Sequence, residues 1–313
     1  MPCVTEPGNA ESVKRPRAVV SIRGSGRGVI RRVAAVVGFC LIALLATLLA
    51  QAVWTGLLIA NLKLSPQIPW AVVLMGVILW AAWRYFGGAW WPPSTQKARN
   101  HYRRANAVPV PLFRQAMAAG LMALGGLIAL WLVLVQLVKV PGNPAANFAN
   151  YSPLTVVSVV AMASLVGAVT EEIGLRGYML TRLEASVGGW PAVVIVAVAI
   201  SPGHGITQGF VWPTLVWYFL ADLLFGALSL LTRSILPGIA VHAIGLLAFF
   251  SVIWPTDRYR HVVSLGQQPA VFWIELVLCF LLVGLSLAAF RQLATTGKTP
   301  PRGAEQSSRI ADR

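Results

Sequence analysis

An all-α fold, a polytopic bundle of about eight transmembrane helices around an intramembrane polar chamber, is predicted by three observations. Hydrophobic residues make up 57% of the 313 and charged residues only 11%, against roughly 25% charged in soluble domains. The apolar residues gather in runs, most of which reach the ~20 residues needed to cross a 30 Å hydrocarbon core. The basic residues are sorted to one side of those runs. Helices are the expected element because they satisfy their own backbone groups in lipid.

Residues 1–32 are polar and basic and read as a disordered cytoplasmic tail. They precede the first apolar run, which exceeds the 7–15 residues of a signal-peptide core, so no cleavable signal is expected. The transmembrane domain, 33–292, follows with spans at 33–60, 68–87, 112–138, 154–181, 190–203, 213–231, 234–252 and 271–290. The first three carry no motif. The fourth holds three charges in Glu171-Glu172-Ile173-Gly174-Leu175-Arg176. The fifth is short and ends at Ser201-Pro202-Gly203, which predicts a broken or re-entrant helix sheltered by its neighbours. The sixth contains Asp222, the seventh His242, and the eighth begins a few residues before Glu275, which should reach the outer interface. Trp54, Trp70, Trp90, Trp91, Trp190, Trp212 and Trp254 are expected at span ends, as in an aromatic belt. Residues 293–313 form a second disordered tail. No internal repeat of the transporter kind is visible.

The formal net charge of +15 invites a nucleic-acid reading, which the distribution argues against. With the N-terminus inside, the inner segments hold seven basic residues in 1–32, six from Arg84 to Arg114, Arg182, Arg233 and five in 291–313. The outer segments hold only Lys63, Lys139, Arg258 and Arg260. This is the positive-inside pattern, and an even number of spans puts both termini in the cytoplasm. The basic tails are expected to touch anionic headgroups, and no nucleic-acid partner is implied. Cys3, Cys40 and Cys279 suggest neither a disulfide framework nor a CxxC metal site.

A charge at the bilayer centre costs at least ~2.5–3.5 kcal/mol on insertion scales, so ionisable residues there usually face a cavity and serve a function. On an α-helix Glu172 and Arg176 share a face at i,i+4, which pairs them and leaves Glu171 to face another neighbour. A carboxylate in such a place suits a general base. His204, at the end of the fifth span, and His242, inside the seventh, complete the usual parts of an activated-water or metal site. Asp222 either lines the same cavity or bonds to an adjacent helix. His101 and His261 lie in basic loops and are read as solvated.

These residues, in this order, resemble the CPBP family: the CAAX-protease and bacteriocin-processing intramembrane endopeptidases, also called Abi proteins or type II CAAX prenyl endopeptidases. The likeness covers roughly 155–250 and is most specific in Glu-Glu-Ile-Gly-Leu-Arg-Gly and in Arg233-Ser234-Ile235-Leu236-Pro237. It implies a water-filled chamber in which Glu171 activates water, His204 helps to hold it and His242 stabilises the oxyanion. Glu172 and Arg176 support them, with Asp222 as a further supporting group. No cofactor is required by the sequence. The resemblance leaves open a divalent metal such as zinc held by Glu171, His204 and His242. Two positions depart from the family pattern: Ile200 stands where its second motif has Phe, a packing change. Leu246 stands where its third motif has Asn or Asp after the histidine, and a lost polar group at an oxyanion site can cost ~3–4 kcal/mol.

The function expected is hydrolysis of a peptide bond in a membrane-anchored protein or peptide. The Ala/Val/Arg-rich composition looks bacterial, placing the chain in a cytoplasmic membrane and favouring peptide maturation, self-immunity or regulated proteolysis over prenylated substrates. Leu246 keeps a second reading open, an inactive relative acting as a membrane scaffold or immunity protein. A third is a proton-coupled transporter with Glu171, Asp222 and His242 as relay.

Overall fold

Every apolar run becomes a helix. The computed structural model describes residues 26–140, 151–253, 262–263, 266 and 268–296. Residues 1–25 and 297–313, with Cys3, Trp254, Arg258, Arg260 and His261, lie outside the described residues. The helices are α1 (Gly26–Leu64), α2 (Trp70–Phe86), α3 (Gln96–Arg103), α4 (Val110–Leu137), α5 (Pro153–Glu171), α6 (Leu180–Val187), α7 (Gly189–Gln208), α8 (Trp212–Thr232), α9 (Leu236–Ala248) and α10 (Ala270–Thr296). A π-helical segment, Glu172–Met179, joins α5 to α6 without a break, and a second, Phe249–Ile253, extends α9. No strand occurs among the described residues.

Six of these runs are long and apolar enough to cross a membrane: α1, α4, α5 through α6, α7, α8 and α10; α2 and α9 are shorter apolar helices. In the most apolar stretches of α4 and α8, 56% of residues are buried, against 17% in α1 and α10. The former pair is therefore central and the latter peripheral. One core joins α4, α8, α9 and α10 around Leu124, Trp131, Trp217, Leu228 and Val241. A second joins α1, α6, α7 and α8 around Leu175, Leu180, Val193 and Val196. The outward faces of α1 and α10 remain apolar and exposed, at Ile42, Leu49, Ile274 and Phe280 for example, as lipid-facing surfaces must.

The structure differs from expectation in three places. Helix α1 starts at Gly26, within the stretch read as tail. Helix α7 does not break at Pro202 but continues to Gln208, so His204 lies inside it. Pro202 cannot donate to the carbonyl four residues back, that of Val198, yet the helix carries on past it. The Ser201 hydroxyl donates to Ala197 O at 2.6 Å, and Gly226 lets α8 close on Val193, where a Cβ would sit 2.7 Å from Val193 Cγ1. Trp54 is not at a span end but within α1. Glu275, near the start of α10, accepts from Gln136 Nε2 near the end of α4 at 2.6 Å.

One end of the bundle is sewn together by arginines. Arg99 donates to the carbonyls of Tyr85, Ala89, Trp90 and Pro92 and lies over the Tyr85 ring. Arg104 and Arg233 both bind Glu184, at 2.6 and 2.7 Å. The Ile235 amide donates to Arg104 O, and Asn106 Nδ2 to Arg233 O. These bonds tie the α3–α4 link to the α8–α9 turn and so fix where α9, with His242, begins.

Candidate active site

The paired glutamates stand where α5 passes into the π-helical segment. Glycine permits the close packing there: a Cβ on Gly174 would collide with Thr47 Oγ1 of α1, and one on Gly177 would lie 2.7 Å from Tyr102 O. A π-turn takes an extra residue per turn and reorients the side chains beyond it. Glu172 Oε1 lies 3.5 Å from Arg176 Nη1, but Arg176 Nη2 makes its close contact with Asp222 Oδ1 of α8. Arg176 thus bridges two carboxylates, with Glu172 and Arg176 fully buried and Asp222 nearly so. A buried charge without a partner is costly, so this bridge is what lets both acids stay inside.

His242 completes the cluster from α9. Its Nδ1 lies 3.2 Å from Glu172 Oε1 and its Nε2 3.7 Å from Glu171 Oε2. Its ring stacks on Phe225 of α8, centroids 4.2 Å apart, and the same Phe225 ring faces the Arg176 guanidinium. Gly238 lets α9 come this near: a Cβ there would lie 2.6 Å from Glu172 Oε2. Glu171 is the more open acid, its side chain 16% exposed against none for Glu172. Its Oε1 accepts from Gln51 Nε2 of α1 at 2.7 Å, and Gln51 Oε1 in turn accepts from Trp54 Nε1.

His204 approaches from α7. Its ring lies flat on Tyr218, centroids 3.9 Å apart and planes within 6°. Tyr218 stands one turn before Asp222 on α8. The structure therefore brings Glu171, Glu172, Arg176, Asp222 and His242 into one cluster, with His204 beside it against Tyr218. No group of three His, Cys, Asp or Glu side chains among the described residues has a geometry fit to hold a metal. Glu171, His204 and His242, the set left open for a metal, do not form such a group. His101 is exposed on α3, away from the cluster.

Leu246 lies one turn beyond His242 and packs on α5, where its Cδ1 would be 3.0 Å from a Cβ on Gly167; the Trp54 ring reaches the same glycine. Ile200 is buried among Val193, Val196 and Leu180, a packing position. Sequence reasoning missed Gln51, Trp54, Tyr218 and Phe225. The available signal was polarity: Gln51 interrupts an apolar run at mid-span depth, where a side-chain amide needs a partner.

Two buried acids, a buried arginine between them and an imidazole facing both glutamates make a proton-handling site inside a membrane-spanning bundle. The family model described as type II CAAX prenyl endopeptidase Rce1-like matches residues 153–247, about a third of the chain. A search of curated proteins and one of solved structures each return no match. The matched segment carries Glu171, Glu172, Arg176, His204, Asp222 and His242, and over it this multi-pass membrane chain is similar to the type II CAAX prenyl endopeptidases.

Proposed function

We propose that the chain is an intramembrane endopeptidase that cleaves a membrane-associated protein or peptide with water activated by Glu171. The observation that carries this reading is the space between Glu171 Oε2 and His242 Nε2. At 3.7 Å the two are too far apart to bond directly. An oxygen within the ~2.6–3.2 Å reach of acid–base catalysis can touch both. Glu171, held by Gln51, takes a proton from a water there as its oxygen attacks the scissile carbonyl. His242, with Nδ1–H donated to Glu172, turns Nε2–H of its imidazolium form toward the carbonyl oxygen as that oxygen becomes negative. Glu171 then passes its proton to the leaving amine, so one water is consumed and an acid and an amine are released. His204 and Tyr218 wall the chamber on the α7 side, while Arg176 and Asp222 hold the catalytic segment to α8.

The test is cleavage of a membrane-anchored reporter carrying a library of cytoplasmic-side peptide sequences, co-reconstituted in vesicles with the wild type or Glu171→Gln. General-base loss lowers the rate by roughly 10²–10⁴-fold. Equal cleavage by both proteins sinks the proposal. In cells, we place both termini in the cytoplasm of a bacterial membrane, with the basic tails against anionic headgroups, and assign peptide maturation, self-immunity or regulated proteolysis as the setting.

Leu246 favours a second reading, a relative that keeps the chamber as a binding site without hydrolysis. In that case Glu171→Gln leaves the cellular phenotype intact, while filling the chamber with Gly238→Leu abolishes it.

A further inference from the structure

Between the start of α1 and α6 lies a cleft of about 510 Å³ that hydrolysis does not use. Arg31 and Arg32 of α1 and Arg182 of α6 line it, together with Ser186 and the apolar Ala35 and Val36. None of its lining residues is acidic. The nearest acid in sequence, Glu184, is committed to Arg104 and Arg233. Among the described residues no ion pair holds any of the three arginines. Arg182 Nε is buried without a hydrogen-bond partner, and the guanidinium lies over the Phe39 ring of α1.

Three guanidiniums with no ion-pair partner among the described residues share one cleft and repel each other, and an anion relieves them. Guanidinium forks match the oxygens of a phosphate especially well. The apolar side of the cleft continues into the exposed Val33 and Val37 of α1, so the anion that fits is amphipathic. The cleft also lies at the arginine-sewn end of the bundle, which the basic asymmetry assigns to the cytoplasmic leaflet, where anionic lipids concentrate. We propose that this cleft binds the phosphate headgroup of an anionic phospholipid.

Such a lipid bridges α1 and α6. Helix α6 continues the π-helical segment that begins at Glu172, next to Glu171, and α1 carries Gln51, whose amide holds Glu171. Helix α1 is peripheral and little buried, so a headgroup shared between Arg31, Arg32 and Arg182 is a tie that the protein's own contacts provide only in part. The proposal does not depend on peptide hydrolysis, and its test reads lipid rather than product.

The protein is placed in nanodiscs of phosphatidylcholine with a minority of phosphatidylglycerol, extracted, and weighed by native mass spectrometry with its retained lipids. The wild type is expected to retain phosphatidylglycerol in preference to phosphatidylcholine. Arg31→Gln/Arg32→Gln/Arg182→Gln loses roughly a hundredfold of that affinity, at about one lipid-surface charge contact per arginine. Arg84→Gln/Lys97→Gln/Arg114→Gln removes the same charge from exposed sites elsewhere and keeps the preference. Arg182→Gln alone, read in the same way, weakens retention should the triple variant fold poorly. Equal retention by wild type and cleft variants overturns the proposal, as does an equal loss in the control, which reduces the effect to bulk charge. Displacement of the lipid by inorganic phosphate at matched concentration also overturns it, in favour of a soluble anion.

Discussion

Gln51 sits in the middle of α1, where an amide must be bonded on both sides to be tolerated, and it is: Trp54 Nε1 donates to its oxygen and its nitrogen donates to Glu171 at 2.7 Å. A hydrogen bond to a charged group is worth ~1.5–3 kcal/mol. Gln51→Leu is therefore expected to slow peptide cleavage by roughly tenfold to a hundredfold while leaving the melting temperature in detergent nearly unchanged. Leu246 faces the same corner, so Leu246→Asn in the Gln51→Leu background should recover part of the rate; no recovery would show that the amide acts elsewhere. Arg176 poses the opposite case. Replacing it with Met leaves Glu172 and Asp222 buried without their cation, which costs about 3–5 kcal/mol when one member of a buried pair is removed. A melting temperature within a degree of the wild type would refute that bridge. The two residues differ sharply in how they could be read from sequence. Arg176 announced itself as a charge in an apolar run, whereas Gln51 is neutral and its meaning depends on α1 packing beside α5, a contact with no local signature.

At the scale of elements, the site depends on how the π-helical segment meets α9. Spacing alone put Glu172 and Arg176 on one α-helical face, and the π-helical segment changes the consequence: the guanidinium still touches Glu172 but also reaches α8. That geometry was not legible because a π-turn has no periodicity of its own in hydropathy. The continuity of α7 through Pro202 was hidden for a similar reason. A proline reports a missing donor, while the close contact of α7 with α8 at Gly226 is a tertiary fact. By contrast, the spans themselves were plain, since burying some twenty backbone units in lipid demands an apolar helix whatever its neighbours. Gly238 tests the α9 contact. The methyl of Gly238→Ala would sit 2.6 Å from Glu172 Oε2, and overpacking of this kind costs ~1–3 kcal/mol. Because the carboxylate can move more easily than the backbone, the expected result is a larger loss of cleavage rate than of stability. A variant with full activity and lowered stability would show that α9 shifts instead and that Glu172 need not stay where it is.

For the whole molecule, the same arginines serve folding and topology. Of the six basic residues from Arg84 to Arg114, Arg99 and Arg104 are spent inside the protein, on carbonyls and on Glu184, and Arg103 packs on Trp83. Arg84, Lys97 and Arg114 remain exposed. The positive-inside tendency is a property of insertion, when the chain is still unfolded, so it counts all six. The folded network then locks in the choice, because crossing would require Arg99 and Arg104 to leave their partners. The α3 end, with the α8–α9 turn and the arginine cleft, should therefore face the cytoplasm. A single cysteine introduced as Lys97→Cys, in a Cys3→Ser background, tests this. Cys40 and Cys279 are buried, so a membrane-impermeant maleimide should report position 97 alone. Labelling is expected in inverted vesicles and not in intact cells. The reverse pattern would invert the bundle, move the arginine cleft to the leaflet poorer in anionic lipid, and remove the argument for a headgroup there.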